Sequence, residues 1–192
     1  IRTNPSRPPI VDLDRYRPGW ELVDWDAYHL FGFGRAAGFQ FSRGCTLACT
    51  YCGQWNFWRR WRHRSPQNFV HQLELLARGY GVRIVWFADE NFAADPAMTR
   101  AVLELIAARN LDLSLNLNMT AADVVRDAAL LPLYKRAGVD NIVMGIESLD
   151  DAVVARVRKN NPHDLSQRAV ALLHEHDIVS LVNVIYGLEE ES

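Results

Sequence analysis

The chain contains three cysteines, and all of them, Cys45, Cys49 and Cys52, lie in one short segment. Thiolates bind soft metals, and closely spaced thiolates on a loop act as a chelate. A structural zinc site needs four protein ligands, so zinc would require a fourth residue such as His63. A four-iron cluster normally uses four cysteines, so three would leave one iron open to another ligand. Because cysteine is absent elsewhere, the segment predicts a metal site, and both types remain candidates from these residues alone.

Polar residues follow four further segments that are typical of strands. They are Asp89, Glu90 and Asn91, then Asn118, then Glu147, and finally the run from Gly187 to Glu190. In a barrel of parallel strands, the carboxyl ends of the strands meet at one rim, which is where the working residues of such barrels lie. The cysteine segment follows the first predicted strand, so we expect these residues to surround it.

Alternating strand and helix patterns must position this rim. Strands are predicted at 38–44, 82–88, 111–118, 141–147 and 179–188. Helices are predicted at 65–81, from residue 95 onward, at 121–137 with a break near Asp127, at about 150–158, and at 164–176. This order demands parallel strands with helices outside the sheet.

The pattern of 111–118 helps to choose between a barrel and an open doubly wound sheet. Leucines alternate there with Asp112, Ser114, Asn116 and Asn118. A strand covered by helices on both faces should be apolar on both faces, whereas one polar face suits a barrel with a ligand inside. We therefore predict an α/β fold, a partial (β/α) TIM-like barrel truncated after about five βα units.

Residues 1–37 lack helical periodicity, and prolines recur between Pro5 and Pro18. This composition predicts an extended linker that joins an upstream domain to a barrel at 38–192. The chain starts at Ile1 and stops just after a strand-like run, so we expect a piece of a longer protein.

The overall composition excludes several classes of protein. The 192 residues are 49% hydrophobic and 23% charged, with a net charge of −2. This balance is ordinary for a globular domain and argues against a general nucleic-acid partner. We find no apolar run long enough for a membrane span and no secretory signal. Clustered cysteines without a disulfide pattern favour a reducing cytoplasm.

An aromatic and basic run follows the cysteines. Its members are Trp55, Phe57, Trp58, Arg59, Arg60, Trp61, Arg62 and Arg64. One interpretation is a helix that packs its tryptophans on the barrel and leaves its arginines in water. A second is a surface for a planar macrocycle with carboxylates, which would use aromatic faces and guanidinium groups. A third is a nucleic-acid patch, which the acidic net charge disfavours.

The spacing C-x-x-x-C-x-x-C, with Tyr51 before the last cysteine and a predicted βα barrel around it, resembles the radical S-adenosylmethionine (SAM) superfamily over about residues 38–190. The resemblance implies that Cys45, Cys49 and Cys52 bind a [4Fe–4S] cluster. The remaining iron of the cluster would bind SAM, which is cleaved to methionine and a 5′-deoxyadenosyl radical. The chemistry then belongs to the cofactor, and the protein supplies position and shielding.

The resemblance also implies a role for each polar residue of the rim. Tyr51 would lie against adenine, Asp89 and Glu90 would bind the methionine amino group, and Glu147 would contact ribose. The motif on the fifth predicted strand would lie near adenine, and its members are Asn183, Ile185, Gly187 and Glu190. Asn183 stands where this motif usually has its first Gly. Asn118 completes the predicted cofactor-binding set.

Four segments carry a narrower resemblance: GQWNFWRRWRHRSP, VWFADENF, VVRDAALLPLYKRAG and NVIYGLEEE. They are similar to the anaerobic magnesium-protoporphyrin IX monomethyl ester oxidative cyclases, a cobalamin-dependent class. This implies oxidative cyclisation of a porphyrin, a cobalamin domain upstream, and a reductant such as flavodoxin or ferredoxin. A cobalamin-dependent radical methylase is the alternative enzyme, and a structural zinc-binding domain is the alternative without catalysis.

Overall fold

Five strands form one parallel sheet in the computed structural model, which describes residues 4, 7–30, 32–58, 60–159 and 161–188, with Trp55 described in its backbone only. In chain order the strands are β1 Arg35–Phe39, β2 Ser42–Arg43, β3 Arg62–His63, β4 Val82–Phe87, β5 Ser114–Met119, β6 Val139–Glu147 and β7 Val179–Val184. The helices are α1 Gln54–Trp58, α2 Pro66–Glu74, α3 Pro96–Arg109, α4 Ala121–Arg126, α5 Leu131–Arg136, α6 Asp151–Arg156 and α7 His163–Glu175.

The order of the strands confirms the predicted fold class. The sheet runs β1-β4-β5-β6-β7 with every neighbouring pair parallel, while β2 and β3 form a separate antiparallel pair. Consecutive strands of the main sheet are therefore neighbours, without the reversal of order that defines a doubly wound fold. On β5, Leu115 and Leu117 are fully buried and Asn116 and Asn118 form the other face, as the alternation predicts.

Polar caps set the starts of the helices. The Ser65 hydroxyl accepts a hydrogen bond from the Asn68 N–H at 3.2 Å, and Pro66 occupies the first turn of α2. Asp95 caps α3 and Thr120 caps α4 in the same way. Side-chain oxygens at these positions satisfy backbone N–H groups that the helix itself leaves unpaired. The predicted break near Asp127 is confirmed, because a 3-10 turn at Ala128–Leu130 separates α4 from α5.

Several boundaries differ from the predictions. The first strand begins at Arg35, before the predicted boundary at 38, because pairing with β4 makes a strand of an Ala- and Gly-containing stretch with low strand propensity. Strand β5 begins at Ser114 instead of at the predicted residue 111, since Asp112 has a left-handed backbone with φ of 51°. Strand β7 ends at Val184 instead of at the predicted residue 188. Beyond Glu74 the second helix continues as a π-helical turn, Leu75–Gly79.

The described part of the N-terminal segment lies against the barrel. Leu13 is 3% exposed and Trp25 is 8% exposed. Arg64 Nη1 donates to the Leu13 carbonyl oxygen at 2.7 Å, and both carboxylate oxygens of Asp14 accept from the Ser65 N–H at 3.1 Å. The segment is thus anchored to the start of α2, while the domain assignment of residues 1–37 and 38–192 stays a prediction.

Candidate active site

A cavity of about 370 Å³ opens at the carboxyl ends of the strands. It is lined by nine of the predicted site residues: Cys45, Cys49, Tyr51, Cys52, Asp89, Glu90, Asn118, Glu147 and Asn183. Ile185 and Gly187 do not line it, and Glu190 lies outside the described residues. The fold thus brings together side chains that are far apart in the sequence, in the place where parallel barrels put their working residues.

The cysteines lie on the loop between β2 and α1, and all three are free thiols. Cys49 is buried, and its Sγ contacts the Arg158 carbonyl oxygen at 3.8 Å. The Thr50 N–H donates to the Val157 carbonyl oxygen at 3.0 Å. The loop is therefore fixed to the segment that follows α6, on the far side of the cavity from β4.

A four-iron cluster and a zinc site make different demands on the three thiols. Burial raises the pKa of Cys45, and the nearby Cys49 and Cys52 raise it further, while the Leu47 N–H and Lys159 act against this. Within the described ranges, no group of three or more His, Cys, Asp or Glu side chains could hold one metal ion. Thiolates of a four-iron cluster bind separate irons and need not converge on one point, whereas zinc ligands must.

The predicted fourth zinc ligand lies elsewhere. The His63 ring packs against Phe41 and Trp61, with ring centroids 5.3 and 4.9 Å apart. Its Nδ1 lies 2.6 Å from the Arg64 carbonyl oxygen. In this structure the His63 ring is therefore held by aromatic packing and by the contact with the Arg64 carbonyl oxygen.

Glu147 ends β6 with a strained backbone and a buried carboxylate. Its φ is 69°, a region that residues other than glycine rarely adopt, and its side chain is 7% exposed. Oε1 accepts from the Tyr51 hydroxyl at 2.8 Å and pairs with Lys159 Nζ at 3.1 Å. Burial, and then the bond to Glu147, raise the pKa of Tyr51 well above its usual value. Strain of this kind clusters at functional sites.

Gly145 makes room for this carboxylate. A Cβ atom at position 145 would lie 2.0 Å from Glu147 Oε1 and 2.8 Å from Lys159 Nζ. Both distances are far below van der Waals contact, so any larger residue would displace the charged pair. The register of the β6–β7 ladder shifts between Gly145 and Glu147, which turns the Glu147 side chain back over the glycine.

Lys159 is a site residue that sequence reasoning missed. Its side chain is 12% exposed, and it is the cationic residue among the described residues that line the cavity. It belongs to an Arg158-Lys159 pair just after a predicted helix, where a solvent-exposed lysine is the ordinary expectation. Only the tertiary fold brings its ammonium group next to Glu147 and the thiols.

Asp89 borders the cavity but is only 1% exposed, and its oxygens are already bonded to protein. Oδ2 accepts from the Phe41 N–H at 3.0 Å, and Oδ1 accepts from the Ser42 N–H at 2.6 Å and from its hydroxyl at 2.5 Å. Burial raises the pKa of Asp89 to about 6, although these hydrogen bonds act to lower it. The carboxylate therefore ties the end of β4 to the segment that leads into the cysteine loop.

Glu90 and Asn118 complete this side of the cavity. Glu90 is half-buried, and burial raises its pKa, which the nearby Trp58 indole opposes. The Trp58 indole N–H faces Glu90 without reaching full hydrogen-bond geometry, and it has no other partner among the described residues. Asn118 Nδ2 donates to the Asp89 carbonyl oxygen at 2.9 Å and so fixes the loop that carries both acids.

The fifth-strand residues reach the site in different ways. Asn183 lines the cavity and pairs with Gly145 in the ladder. The Ile185 N–H donates to the Glu147 carbonyl oxygen at 2.9 Å, so Ile185 supports the strained residue through its backbone. Gly187 lies beyond the end of β7 with φ of 81°.

The sequence model of the radical SAM superfamily matches residues 39–192 of this chain. The chain belongs to this superfamily. It is 42% identical over 190 residues to the anaerobic magnesium-protoporphyrin IX monomethyl ester cyclase of Synechocystis, covering 99% of this chain and 38% of the relative. The cyclase of Rubrivivax gelatinosus is 32% identical, and the match covers 100% of this chain and 35% of that relative. The chain thus spans little more than a third of the length of these relatives.

A solved structure supports the same fold. The radical SAM methyltransferase TsrM of Kitasatospora setae, with cobalamin and a [4Fe–4S] cluster bound, superimposes with a TM-score of 0.72 at 19% identity. The match covers 81% of this chain and 32% of that chain. In the described part of the protein, no helix has the length and apolar character required to cross a membrane.

Proposed function

We propose that this chain is the SAM-cleaving barrel of an anaerobic enzyme that performs the oxidative cyclisation of a magnesium porphyrin. The observation that carries the proposal is one cavity lined by three free thiols, acidic side chains and a lysine. The cyclase relative that is 42% identical over nearly the whole chain supports the reaction. Because the chain spans only part of that relative, the substrate is proposed for the whole protein.

The donor set suits a [4Fe–4S] cluster with one open iron. Cys45, Cys49 and Cys52 would hold three irons, and the described cavity offers no fourth thiol. When bound and reduced, such a cluster supplies the electron that cleaves SAM to methionine and a 5′-deoxyadenosyl radical. The bond from the Thr50 N–H to the Val157 carbonyl oxygen would hold the loop in place, which is the positioning role that falls to the protein.

The remaining residues of the cavity suit the parts of SAM. Lys159 would pair with the carboxylate of its methionine moiety, and Glu90 would accept hydrogen bonds from the ammonium, since charge-assisted bonds of this kind are strong. Glu147 would accept from the ribose hydroxyls, and Tyr51 would lie against adenine. Asn183 would flank adenine from β7, and Ile185 and Gly187 would do so from the segment that follows β7. Glu190 belongs to the same predicted motif and lies outside the described residues. Asp89 and Asn118 would position the acidic loop.

Further components belong to the proposal for the whole protein. Residues 1–37 would link the barrel at 38–192 to an upstream cobalamin-binding domain. A low-potential cluster needs a strong electron donor, such as a flavodoxin or ferredoxin, and clusters of this type reach about −400 mV and below. Thiols that must remain reduced suit the cytoplasm.

A cobalamin-dependent methylase is the second candidate function. It is favoured by the fold similarity to TsrM, which is described as a methyltransferase. The two reactions differ in their products, since a methylase adds a labelled methyl group from SAM to its substrate and a cyclase does not. Mass spectrometry of the porphyrin product formed with methyl-labelled SAM separates them.

The SAM-cleaving function is tested by replacing one thiol. The protein is reconstituted anaerobically with iron and sulfide, and 5′-deoxyadenosine is measured after addition of a reductant and SAM. We expect product from the wild-type protein and none above background from Cys49→Ala. Thr50→Ala, a change at the exposed neighbouring residue, should retain product formation. Wild-type protein that holds a cluster yet forms no 5′-deoxyadenosine would contradict the proposal.

A further inference from the structure

A second cavity lies between the N-terminal segment and α1, and we call it the arginine–tryptophan cleft. Its volume is about 680 Å³. Basic and aromatic side chains form its walls: Arg7, Tyr16, Arg43, Phe57, Trp58 and Arg62. No residue of this cleft lines the 370 Å³ cavity at the carboxyl ends of the strands, which we call the cofactor cavity. The chain's aromatic and basic run therefore does not form one helix with its arginines in water, because it turns after α1 into β3 and brings Arg62 over Trp58.

Two guanidinium groups share one aromatic ring in this cleft. Arg43 and Arg62 lie over the Trp58 ring at 5.3 and 5.6 Å from its centroid. Neither arginine has an ion pair with any acid of the described residues. Burial and the charge of Arg43 both lower the pKa of Arg62. Two like charges held together without a counter-ion favour the entry of an anion.

The hydrogen bonds of Arg62 leave part of its guanidinium available. Nε donates to the Ile10 carbonyl oxygen at 2.5 Å, and Nη1 donates to the carbonyl oxygens of Trp58 and Arg60 at 3.2 and 2.9 Å. These bonds fix the plane of the group and leave Nη2 without a bond to any described residue. The oriented Nη2 group of Arg62 can therefore donate a charge-assisted hydrogen bond to one oxygen of an anion.

A third arginine adds a fixed charge behind the cleft. Arg64 is 8% exposed and lines an adjoining cavity of about 440 Å³, which shares Arg43 and Tyr16 with the cleft. Its Nε is buried with no hydrogen-bond partner in the described part of the chain. Three arginines thus lie close together here, although the net charge of the chain is −2, and Asp14 near Arg64 offsets part of their charge.

Helix α1 connects the cleft to the cofactor cavity. Gln54, at the start of α1, lines the cofactor cavity, and Trp58, at its end, lines the cleft. Four steps along an α-helix span about 6 Å. The Trp58 indole also lies near Glu90, an acid of the cofactor cavity. A large ligand held in the cleft is therefore within reach of the cofactor.

We propose that the arginine–tryptophan cleft binds a free carboxylate of the planar macrocyclic substrate, with Arg43 and Arg62 on the carboxylate and Trp58 and Phe57 against the ring. This site rests on the proposed cyclase function and adds to it the position of the substrate. Phe57 is 73% exposed, so its ring is available to a ligand without rearrangement of the core. Aromatic rings of protein and ligand gain free energy from offset or edge contacts.

The test uses two porphyrins that differ only in the carboxylate. Magnesium-protoporphyrin IX monomethyl ester keeps one free carboxylate, and its dimethyl ester keeps none. Each is titrated anaerobically into the reconstituted protein without reductant, and binding is followed by the porphyrin absorbance. We expect the monomethyl ester to bind about tenfold more tightly, as one charge-assisted contact would give. Arg43→Gln and Arg62→Gln should abolish this preference.

Arg83→Gln is the matched control, because Arg83 is an exposed arginine that pairs with Asp112 near the start of β4. It should leave the preference for the monomethyl ester intact. Equal affinity of wild-type protein for the two esters would overturn the proposal without any variant. Pyrophosphate binding that Arg43→Gln weakens, with no binding of either ester, would assign the cleft to a phosphate ligand and also overturn it. Failure of SAM cleavage would appear separately, as absence of 5′-deoxyadenosine.

Discussion

The ends of β4 and β6 each place a buried carboxylate at the cofactor cavity, and the two carboxylates differ in their partners. Asp89 accepts hydrogen bonds from the backbone of Phe41 and from Ser42, with both oxygens engaged. Glu147 is held by the side chains of Tyr51 and Lys159. Side chains can exchange partners when a ligand binds, whereas backbone groups in a fixed turn cannot. We therefore propose that Asp89 has a structural role and that Glu147 binds the ligand.

The two environments also differ in strain. Glu147 has φ of 69° and lies over Gly145, an arrangement that has a cost of about 1–3 kcal/mol. The surrounding ladder and the ion pair with Lys159 maintain it. Asp89 has no such strain, but full burial raises its pKa to about 6. At the end of β6, the fold tolerates backbone strain that orients the Glu147 side chain. Beyond the end of β4, the fold tolerates the desolvation of the Asp89 carboxylate.

The largest effect is expected from Gly145→Ala, which adds a Cβ into the space of the Glu147 carboxylate and the Lys159 ammonium. Loss of charge-assisted bonds to SAM should weaken its binding by about 10- to 100-fold. Anaerobic calorimetry measures this affinity. Gly79→Ala, where an added Cβ meets nothing within 4 Å, is the control and should bind SAM normally. Unchanged affinity in Gly145→Ala would remove Glu147 and Lys159 from the ligand site.

Asp89→Asn should instead lower the free energy of unfolding by about 1–3 kcal/mol at about pH 4, where Asp89 of the folded wild type is protonated, because a buried amide cannot accept all three hydrogen bonds. Chemical denaturation measures it. Asp140→Asn, at an exposed acid paired with Lys135, should change stability by less than about 1 kcal/mol. A stable Asp89→Asn protein with weakened SAM binding would reverse the roles that the comparison assigns.

The pH dependence of this variant sharpens the comparison. The pKa of Asp89 is raised in the folded state, so protonation of Asp89 favours folding. Its contribution is fully present below the unfolded pKa of about 4 and is lost as the pH rises through about 6. The wild-type protein should therefore lose stability relative to Asp89→Asn over this range. Parallel stability curves between pH 4 and 6 would argue against the raised pKa.

The smallest effect is expected from Tyr51→Phe, which removes the hydroxyl that donates to Glu147. One such bond contributes about 0.5–1.5 kcal/mol, so SAM binding should weaken by about 2- to 10-fold. Tyr28→Phe, at an exposed tyrosine remote from the cavity, is the matched control. If Tyr51→Phe weakened binding as much as Gly145→Ala, the Tyr51 hydroxyl would itself bind the ligand instead of supporting Glu147.

The sequence predicts the barrel and most of the cavity, because both follow from local patterns. Alternating leucines define β5, and the cysteine spacing defines the metal-binding loop. The different partners of Asp89 and Glu147 could not be predicted, since both are acids that follow a strand. Lys159 was missed for a similar reason, because its burial depends on the fold of the loop after α6. The run after the cysteines gave no sign of the turn that brings Arg62 over Trp58.

The proposed function depends on three cysteines that hold a cluster with one iron open to SAM. The most direct measurement is the EPR spectrum of the anaerobically reconstituted, reduced protein, recorded with and without SAM. The account predicts a [4Fe–4S]⁺ signal that changes shape when SAM is added and is absent from Cys49→Ala. Tight zinc binding without cluster formation, or a cluster signal that SAM leaves unchanged, would contradict the account.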